Sequence, residues 1–527
     1  MIFTLVTVYA PNDKPNRNTY FKSINKLIAE KRIGVLIVGG DFNDVLYSID
    51  RKNVNSTRII QPANSFKTLI KNNKLLDVWR EMNKNTQQFT WRRKNKTQSS
   101  RIDYIFIDKT FLAHVDKCKI KPACIKSTDH QSVCLTLNEL IKDKGIGYWK
   151  INNSILADDD YRICISSLIE QYKSKVNEGI IDIRLLWDTL KVEIREATIA
   201  FCKSKNKLKN DITKFLETEL AESIELQDRF NITDKQFTNK IDRLQSKPEE
   251  IYKEKARGAQ IRSREKWVEF EEKNNAYFLG LEKQRQSRKS IDKLIKENNT
   301  ETTNQTEILN LMRDFYKKLY SSISPDDIET ENYIKNTKPD KILTKDESLI
   351  CDGEITLKEC TDSIYKMKLN KSPGLDGISV EFYRTFWSQI KELLVKVLNN
   401  SYDEGVLPFS QRQSVLSLIF KKNDPLKLEN YRPISLLNVD LKLLSYTLAQ
   451  RLKKVLPKIV NNDQTGYIKN RYIGFNLRQI QDIIDYAESY NIEGALIFVD
   501  FSKAFDTLEW NFMLKTLNFF WLQRIIY

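Results

Sequence analysis

Apolar and polar positions change their period three times along this chain. Residues 2–9 alternate between the two classes and stop at Ala10-Pro11-Asn12, which predicts a half-buried strand. Helix-like spacing follows, and then Val35-Leu36-Ile37-Val38 reads as a buried strand that breaks at Gly39-Gly40 and delivers Asp41, Phe42 and Asn43. Residues 101–107 predict a third strand with the Asp103 carboxylate facing away from its apolar neighbours, and residues 132–137 predict a fourth just after Thr128-Asp129-His130. From Ile180 to Arg257 there is no glycine and a single proline, Pro248, while Leu186, Leu190, Ile194, Ala197 and Phe201 recur near helical spacing. Long helices are expected there. Strand patterns return at residues 417–420 and at Leu496-Ile497-Phe498-Val499, a continuous apolar run expected to be a buried strand that ends on Asp500.

Composition adds a partner to this pattern. A chain of 527 residues exceeds a single core and suggests about three domains. Its 86 Lys and Arg against 70 Asp and Glu give a formal +16, which favours a polyanion, nucleic acid first. Seven cysteines without a CxxC pair argue for reduced thiols and an intracellular compartment, against a disulfide framework or zinc knuckle. No run approaches the ~18 apolar residues of a membrane span, and no secretory leader is legible at Met1.

Several groups stand out chemically, each with a plainer reading beside it. Paired glycines let a backbone approach a phosphate and the Asp and Asn behind them can orient a water, although Gly-Gly-Asp is also a common turn. His130 has an acidic neighbour, whereas His114, amid Phe111, Leu112 and Val115, reads as structural. Lys203, Lys205, Lys207 and Lys209 read as a solvated helix face, with phosphate contact as the alternative. The cluster Asp158-Asp159-Asp160 precedes Tyr161 as the first turn of a helix would. Trp267, Phe270 and Phe278 fit a helix core better than a base-stacking surface. The loop Lys371-Ser372-Pro373-Gly374-Leu375-Asp376-Gly377 has glycines that permit close backbone approach to a nucleic-acid strand, and is otherwise an ordinary loop. Lys421, as a point charge, and Arg432, as a fork, suit an incoming triphosphate near a carboxylate. Asp500 reads either as a turn residue or as a ligand of divalent ions that align an attacking and a leaving oxygen, with Phe505 walling a sugar pocket.

Taken in order, Tyr-Ala-Pro-Asn at Tyr9, Gly-Gly-Asp-Phe-Asn at Asp41, Arg-Ile-Asp-Tyr-Ile at Asp103 and Thr-Asp-His at His130 resemble the exonuclease/endonuclease/phosphatase superfamily in its apurinic-endonuclease-like, retrotransposon branch. The resemblance implies that Asp41 and Asn43 handle the attacking water and scissile phosphate, that Tyr9 contacts that phosphate, and that Asp103 orients His130. It further implies that Asp129 helps bind the metal and that Thr90 lies near the DNA. Lys-Ser-Pro-Gly-x-Asp-Gly, Tyr-Arg-Pro-Ile-Ser at Arg432, Asp463-Gln464-Thr465-Gly466-Tyr467 and Phe-Val-Asp-Phe-x-Lys-Ala-Phe-Asp around Asp500 resemble non-LTR (LINE-type) reverse transcriptases, as does the Tyr277-Phe278-x-x-Leu281-Glu282-Lys283 segment.

The resemblance implies target-primed reverse transcription, with Mg²⁺ as cofactor, DNA, RNA and dNTP as partners, no membrane, and a nuclear and cytoplasmic location. Asp500 would bind the metals and Phe505 would exclude a ribose 2′-hydroxyl. The expected fold is α+β multidomain: an incomplete nuclease-type α/β sandwich over residues 1–140, a helical region over 141–345, and fingers with a partial palm over 346–527. The early metal-binding Glu of the nuclease and the aromatic-Ala-Asp-Asp hairpin of the polymerase are not found, so the 527 residues are expected to be inactive alone. Two rivals are a non-catalytic nucleic-acid-binding relic and a phosphatase for a small substrate.

Overall fold

The computed structural model describes residues 2–53, 62–93, 98–123, 128–138, 147–177, 182–230, 234–263, 291–296, 298–322, 327–337, 339, 341–501, 503–520 and 522. Trp267, Phe270 and Phe278 lie outside them. The chain divides into two compact units, residues 1–146 with 204–289, and residues 147–203 with 290–527. The helical stretch expected at 141–345 is therefore shared between the units.

In the first unit the expected strands form around one mixed sheet. β1 (Phe3–Tyr9) runs parallel to β2 (Val35–Asp41) through α1 (Lys14–Lys31). The side chain of Asp13 caps α1 by accepting from the Asn16 N–H at 3.1 Å, and Pro15 sits in the first turn, where its missing N–H costs nothing. α2 (Asn64–Asn72), β3 (Leu75–Asp77), α3 (Val78–Met82) and β4 (Asp103–Asp108) follow, and the sheet order is β1-β2-β4-β3, with β4 antiparallel to both its neighbours.

The alternation in β2 gives the sheet two apolar faces. Leu36 and Val38 pack with Phe21, Ile28, Phe66 and Leu69 of α1 and α2, whereas Val35 and Ile37 face Trp79, Phe111, Cys118 and Ile120. That second face is covered by α3 and by the hairpin of β5 (Val115–Lys121) and β6 (Ser132–Leu137). Full burial of Leu36 and Val38 contributes roughly 1.5–3 kcal/mol each.

The strand does not break at Gly39-Gly40 as expected; β2 continues through both to Asp41. Gly40 has φ +143°, and a Cβ there would stand 2.0 Å from the Val8 carbonyl oxygen. The glycine permits β1 to lie close, so its role is packing against protein and not approach to a phosphate.

Long helices appear where the period predicts them: α4 (Asp159–Asn177), α5 (Ile183–Phe230) and α6 (Lys235–Ser263). Asp159 and Asp160 lie in the first turn of α4, and Asp158 accepts from the Tyr161 N–H at 3.3 Å. In the first unit, Leu216 and Leu220 of α5 pack on Ile241 and Leu244 of α6. In the second unit, Ile165 and Ile169 of α4 and Leu190 and Ile194 of α5 share one core with α7 (Leu357–Lys366), α8 (Val380–Thr385), α9 (Trp387–Asp403) and the residues Val439 and Leu443. The hairpin of β7 (Ser414–Phe420) and β8 (Tyr431–Leu437) then leads into α10 (Val439–Ile459).

The four apolar residues before Asp500 depart from expectation. They form no strand, and Ile497 and Phe498 are 84% and 81% exposed. A strand is held by a neighbour that takes its N–H and C=O groups, and among the described residues none pairs with this run. Asp500 thus sits in irregular backbone between α11 (Gly474–Ser489) and α12 (Trp510–Phe519).

Candidate nuclease and polymerase sites

Register across the first sheet places three of the named residues in one row. Tyr9 of β1 pairs with Asp41 of β2, and Asp41 pairs with Asp103 of β4. Just after Asp41 the chain turns left-handed at Asn43, φ +48°, whose N–H donates to Asp41 Oδ1 at 2.8 Å. The Asn43 side-chain amide donates to the Ala10 carbonyl at 2.6 Å, which ties the two corners that follow β1 and β2. Tyr9 is exposed, and its own N–H donates to the Tyr20 hydroxyl at 3.3 Å.

His130 arrives from the β5–β6 side, and its Nδ1 lies 3.0 Å from Asp103 Oδ2. A carboxylate only accepts, so Nδ1 carries the hydrogen and Nε2 is left for other chemistry. The hydrogen bond to Asp103 raises the His130 pKa; burial opposes it, and the charges of Asp103, Asp41 and Asp129 add to it. Half-burial raises the Asp41 carboxyl above its ordinary range, the Asn43 N–H lowers it, and the nearby Asp103 charge raises it further. Asp41, Asp103 and His130 each offer a ligand atom within 4.8 Å of the others.

Asp129 stands outside that trio. It is exposed, and its Oδ2 accepts from Trp91 Nε1 at 2.9 Å. Thr90, which the resemblance implied would lie near the DNA, is itself fully buried. Its hydroxyl accepts from the Ile102 and Asp103 N–H groups at 3.0 and 3.1 Å, and its carbonyl accepts from the Gln131 N–H at 2.6 Å. Thr90 joins the segments carrying Asp103 and His130.

In the second unit the basic residues stand on the hairpin. Arg432 pairs with Ile419 in β8 and β7, and Lys421 follows β7 directly; both side chains are exposed. Phe505 is 86% exposed and meets the Tyr467 ring edge-on at 6.2 Å, so two motif aromatics come together. The glycines of the Ser-Pro-Gly-Leu-Asp-Gly loop serve protein contacts instead of nucleic acid: a Cβ on Gly374 would strike Asn438 and one on Gly377, φ +73°, would strike Trp149.

Residues 419–526 match the reverse transcriptase (RNA-dependent DNA polymerase) family. Over 524 residues, 98% of its length, the chain is 30% identical to the transposon TX1 uncharacterized 149 kDa protein of Xenopus laevis, and it covers 39% of that protein. It is 29% identical over 168 residues to the retrovirus-related Pol polyprotein from type-1 retrotransposable element R1 of Bradysia coprophila, 31% of this chain and 16% of that one. The chain is similar to LINE-type, non-LTR retrotransposon proteins and spans about two fifths of the length of the relative it matches from end to end. The RNA-directed DNA polymerase from mobile element jockey of Drosophila melanogaster is 28% identical over 161 residues, 29% of this chain and 17% of its own. Among solved structures, a 3′-5′ exonuclease from Neisseria meningitidis aligns with 26% of this chain and 61% of its own at 17% identity, with a TM-score of 0.23. A likeness that slight carries no argument, and the nuclease reading rests on the row of residues itself.

Sequence reasoning passed over the groups that hold this row. Arg101, two residues before Asp103, is 1% exposed and donates to Asp50 at 2.6 Å and to both oxygens of Asp77 at 2.6 and 3.1 Å. Arg80 also pairs with Asp50, and the Arg101 guanidinium lies over the Trp79 and Tyr104 rings. Burial works against the Arg101 charge, yet the hydrogen bonds to Asp50 and Asp77 carry its pKa above the ordinary value. Nothing in the local pattern marks Asp50 or Asp77. Only the position of Arg101 within the Arg-Ile-Asp motif pointed to it.

Proposed function

We propose that the retrotransposon protein carrying this chain performs both chemical steps of target-primed reverse transcription, with residues of this chain in each site: nicking of duplex DNA, then extension of the exposed 3′-hydroxyl on an RNA template. The observation that carries the nuclease half is the His130–Asp103 pair, 3.0 Å apart, beside Asp41 in one row of the sheet. The polymerase half is supported by the family match that contains Asp500.

In the nuclease site the roles follow from the bonding. Asp103 holds Nδ1 of His130, so that Nε2 donates to, or accepts from, an oxygen of the scissile phosphate or its leaving group. One oxygen of Asp41 is occupied by the Asn43 N–H, and the other orients the attacking water. Tyr9, exposed at the row's end, reaches the phosphate. Asp41 and Asp103 are the hard oxygen donors of the trio, and the raised Asp41 pKa fits a carboxylate relieved by a cation. Asp41 and Asp103 would hold a divalent ion, Mg²⁺ in this reading, with Asp129 as a further ligand, and the ion would supply positive charge to the phosphate as a Lewis acid. In the polymerase half Asp500 is assigned to metal binding, Phe505 to the sugar wall, and Lys421 and Arg432 to the triphosphate.

The test uses the protein that carries this chain, with supercoiled plasmid and Mg²⁺. His130→Ala should reduce nicking by about 10²–10⁴-fold, the range of a lost general acid or base, while plasmid binding persists. Asp500→Ala should abolish dNTP incorporation and leave nicking intact. Nicking unchanged in His130→Ala sinks the nuclease assignment, and binding without either reaction in the parent favours the non-catalytic relic.

A further inference from the structure

The second unit buries a charged cluster of which only Asp376 lies in a motif read from the sequence. Lys191, on α5, is 3% exposed, and its Nζ lies 2.8 Å from Asp440 Oδ2 and 2.9 Å from Asp376 Oδ2. Asp440 sits in the first turn of α10 and is fully buried. Its Oδ2 also accepts from Trp187 Nε1 at 2.9 Å and from Gln411 Nε2 at 3.1 Å, and its Oδ1 from the Leu441 N–H at 2.9 Å. Asp376, of the Ser-Pro-Gly-Leu-Asp-Gly loop, accepts from the Ile378 N–H at 3.1 Å and donates its own N–H to Asn438 Oδ1 at 3.2 Å. The Asn438 amide donates to the Ser410 carbonyl at 2.7 Å.

All of these bonds gather at the base of the β7–β8 hairpin. Ser410 and Gln411 precede β7, and Asn438 and Asp440 follow β8. Residue Arg432 lies near the other end, five residues from Leu437, or about 17 Å along a strand. An arm of that length converts a tilt of about 10° at the base into a displacement of about 3 Å at Arg432, and a 1 Å misplacement at a reacting group can cost 10²-fold. Two carboxylates without their ammonium would repel each other at that pivot.

We propose that Lys191 is a positioning residue of the polymerase half: by joining Asp440 to Asp376 it seats the hairpin so that Lys421 and Arg432 meet an incoming nucleoside triphosphate. This rests on the assignment of Arg432 to the triphosphate, and the experiment separates the two. In the protein that carries this chain, Lys191→Met keeps the length of the side chain and removes its charge. Two quantities are measured: amide hydrogen exchange, and equilibrium binding of a labelled dNTP to the protein on a chain-terminated primer-template. Exchange at Ile378, Gln411 and Leu441 should accelerate at least tenfold, with the β1-β2-β4 sheet unchanged. dNTP affinity should fall about tenfold while primer-template affinity holds, a split that general unfolding would not produce. Lys191→Met combined with Asp440→Asn leaves Asp376 as the one carboxylate and ends the repulsion, should restore protection, and serves as the test if the single variant does not fold. Unchanged exchange at the three amides overturns the seating, and altered exchange with unchanged dNTP affinity overturns the positioning role. Arg432→Ala is the separate control: if it binds dNTP normally, the triphosphate assignment fails while the exchange result still judges Lys191.

Discussion

The Asp103–His130 pair gives the site a pH dependence whose sign can be worked out. The hydrogen bond to Asp103 raises the folded-state pKa of His130 above the ~6.5 of an unfolded imidazole. A raised histidine stabilises the folded state fully below that unfolded value, and the contribution disappears as pH rises through the folded pKa. Asp103→Asn should therefore lower the His130 midpoint in an NMR titration. The stability gap between parent and variant should be widest below about pH 6.5 and narrow above it. A midpoint that stayed put would mean that the 3.0 Å contact does not govern the imidazole.

Strands and helices here depend on one another through buried charge as much as through apolar contact. Arg101 links β4 to Asp50 and to Asp77, which ends β3 and caps α3 through the Arg80 N–H at 3.2 Å. Its removal leaves two buried carboxylates facing each other, with Arg80 as the remaining cation near Asp50. Arg101→Met should thus destabilise the first unit by about 3–5 kcal/mol in urea unfolding, far beyond an exposed substitution. A change below about 1 kcal/mol would show that the cage is not held as described.

At the scale of the whole chain the formal +16 sets the terms of association. Exposed Arg432 and Lys421, with Lys203, Lys205 and Lys207 on the surface of α5, suit contact with phosphates regardless of sequence. Binding to nucleic acid should then weaken linearly in log affinity against log salt as counterions are released. A filter-binding titration at two salt concentrations measures the slope, and a flat response would exclude a phosphate-contacting surface.

Local periodicity determined a good deal of this protein by itself. The strands near residues 3–9, 35–38 and 103–108 and the long helices could be read from spacing, because alternation and helical repeat are imposed by the backbone, whereas the His130–Asp103 partnership was implied only by the resemblance of the motifs in order. Tertiary structure decided what each polar group faces. Thr90 proved to be a buried clamp, Gly40, Gly374 and Gly377 make room for protein, and Lys191 finds Asp440 across 249 residues of chain. The run at residues 496–499 carries a buried strand's pattern without the pairing that makes one. Burial and partnership depend on neighbours brought from distant parts of the chain, and a period of two or 3.6 residues holds no record of them.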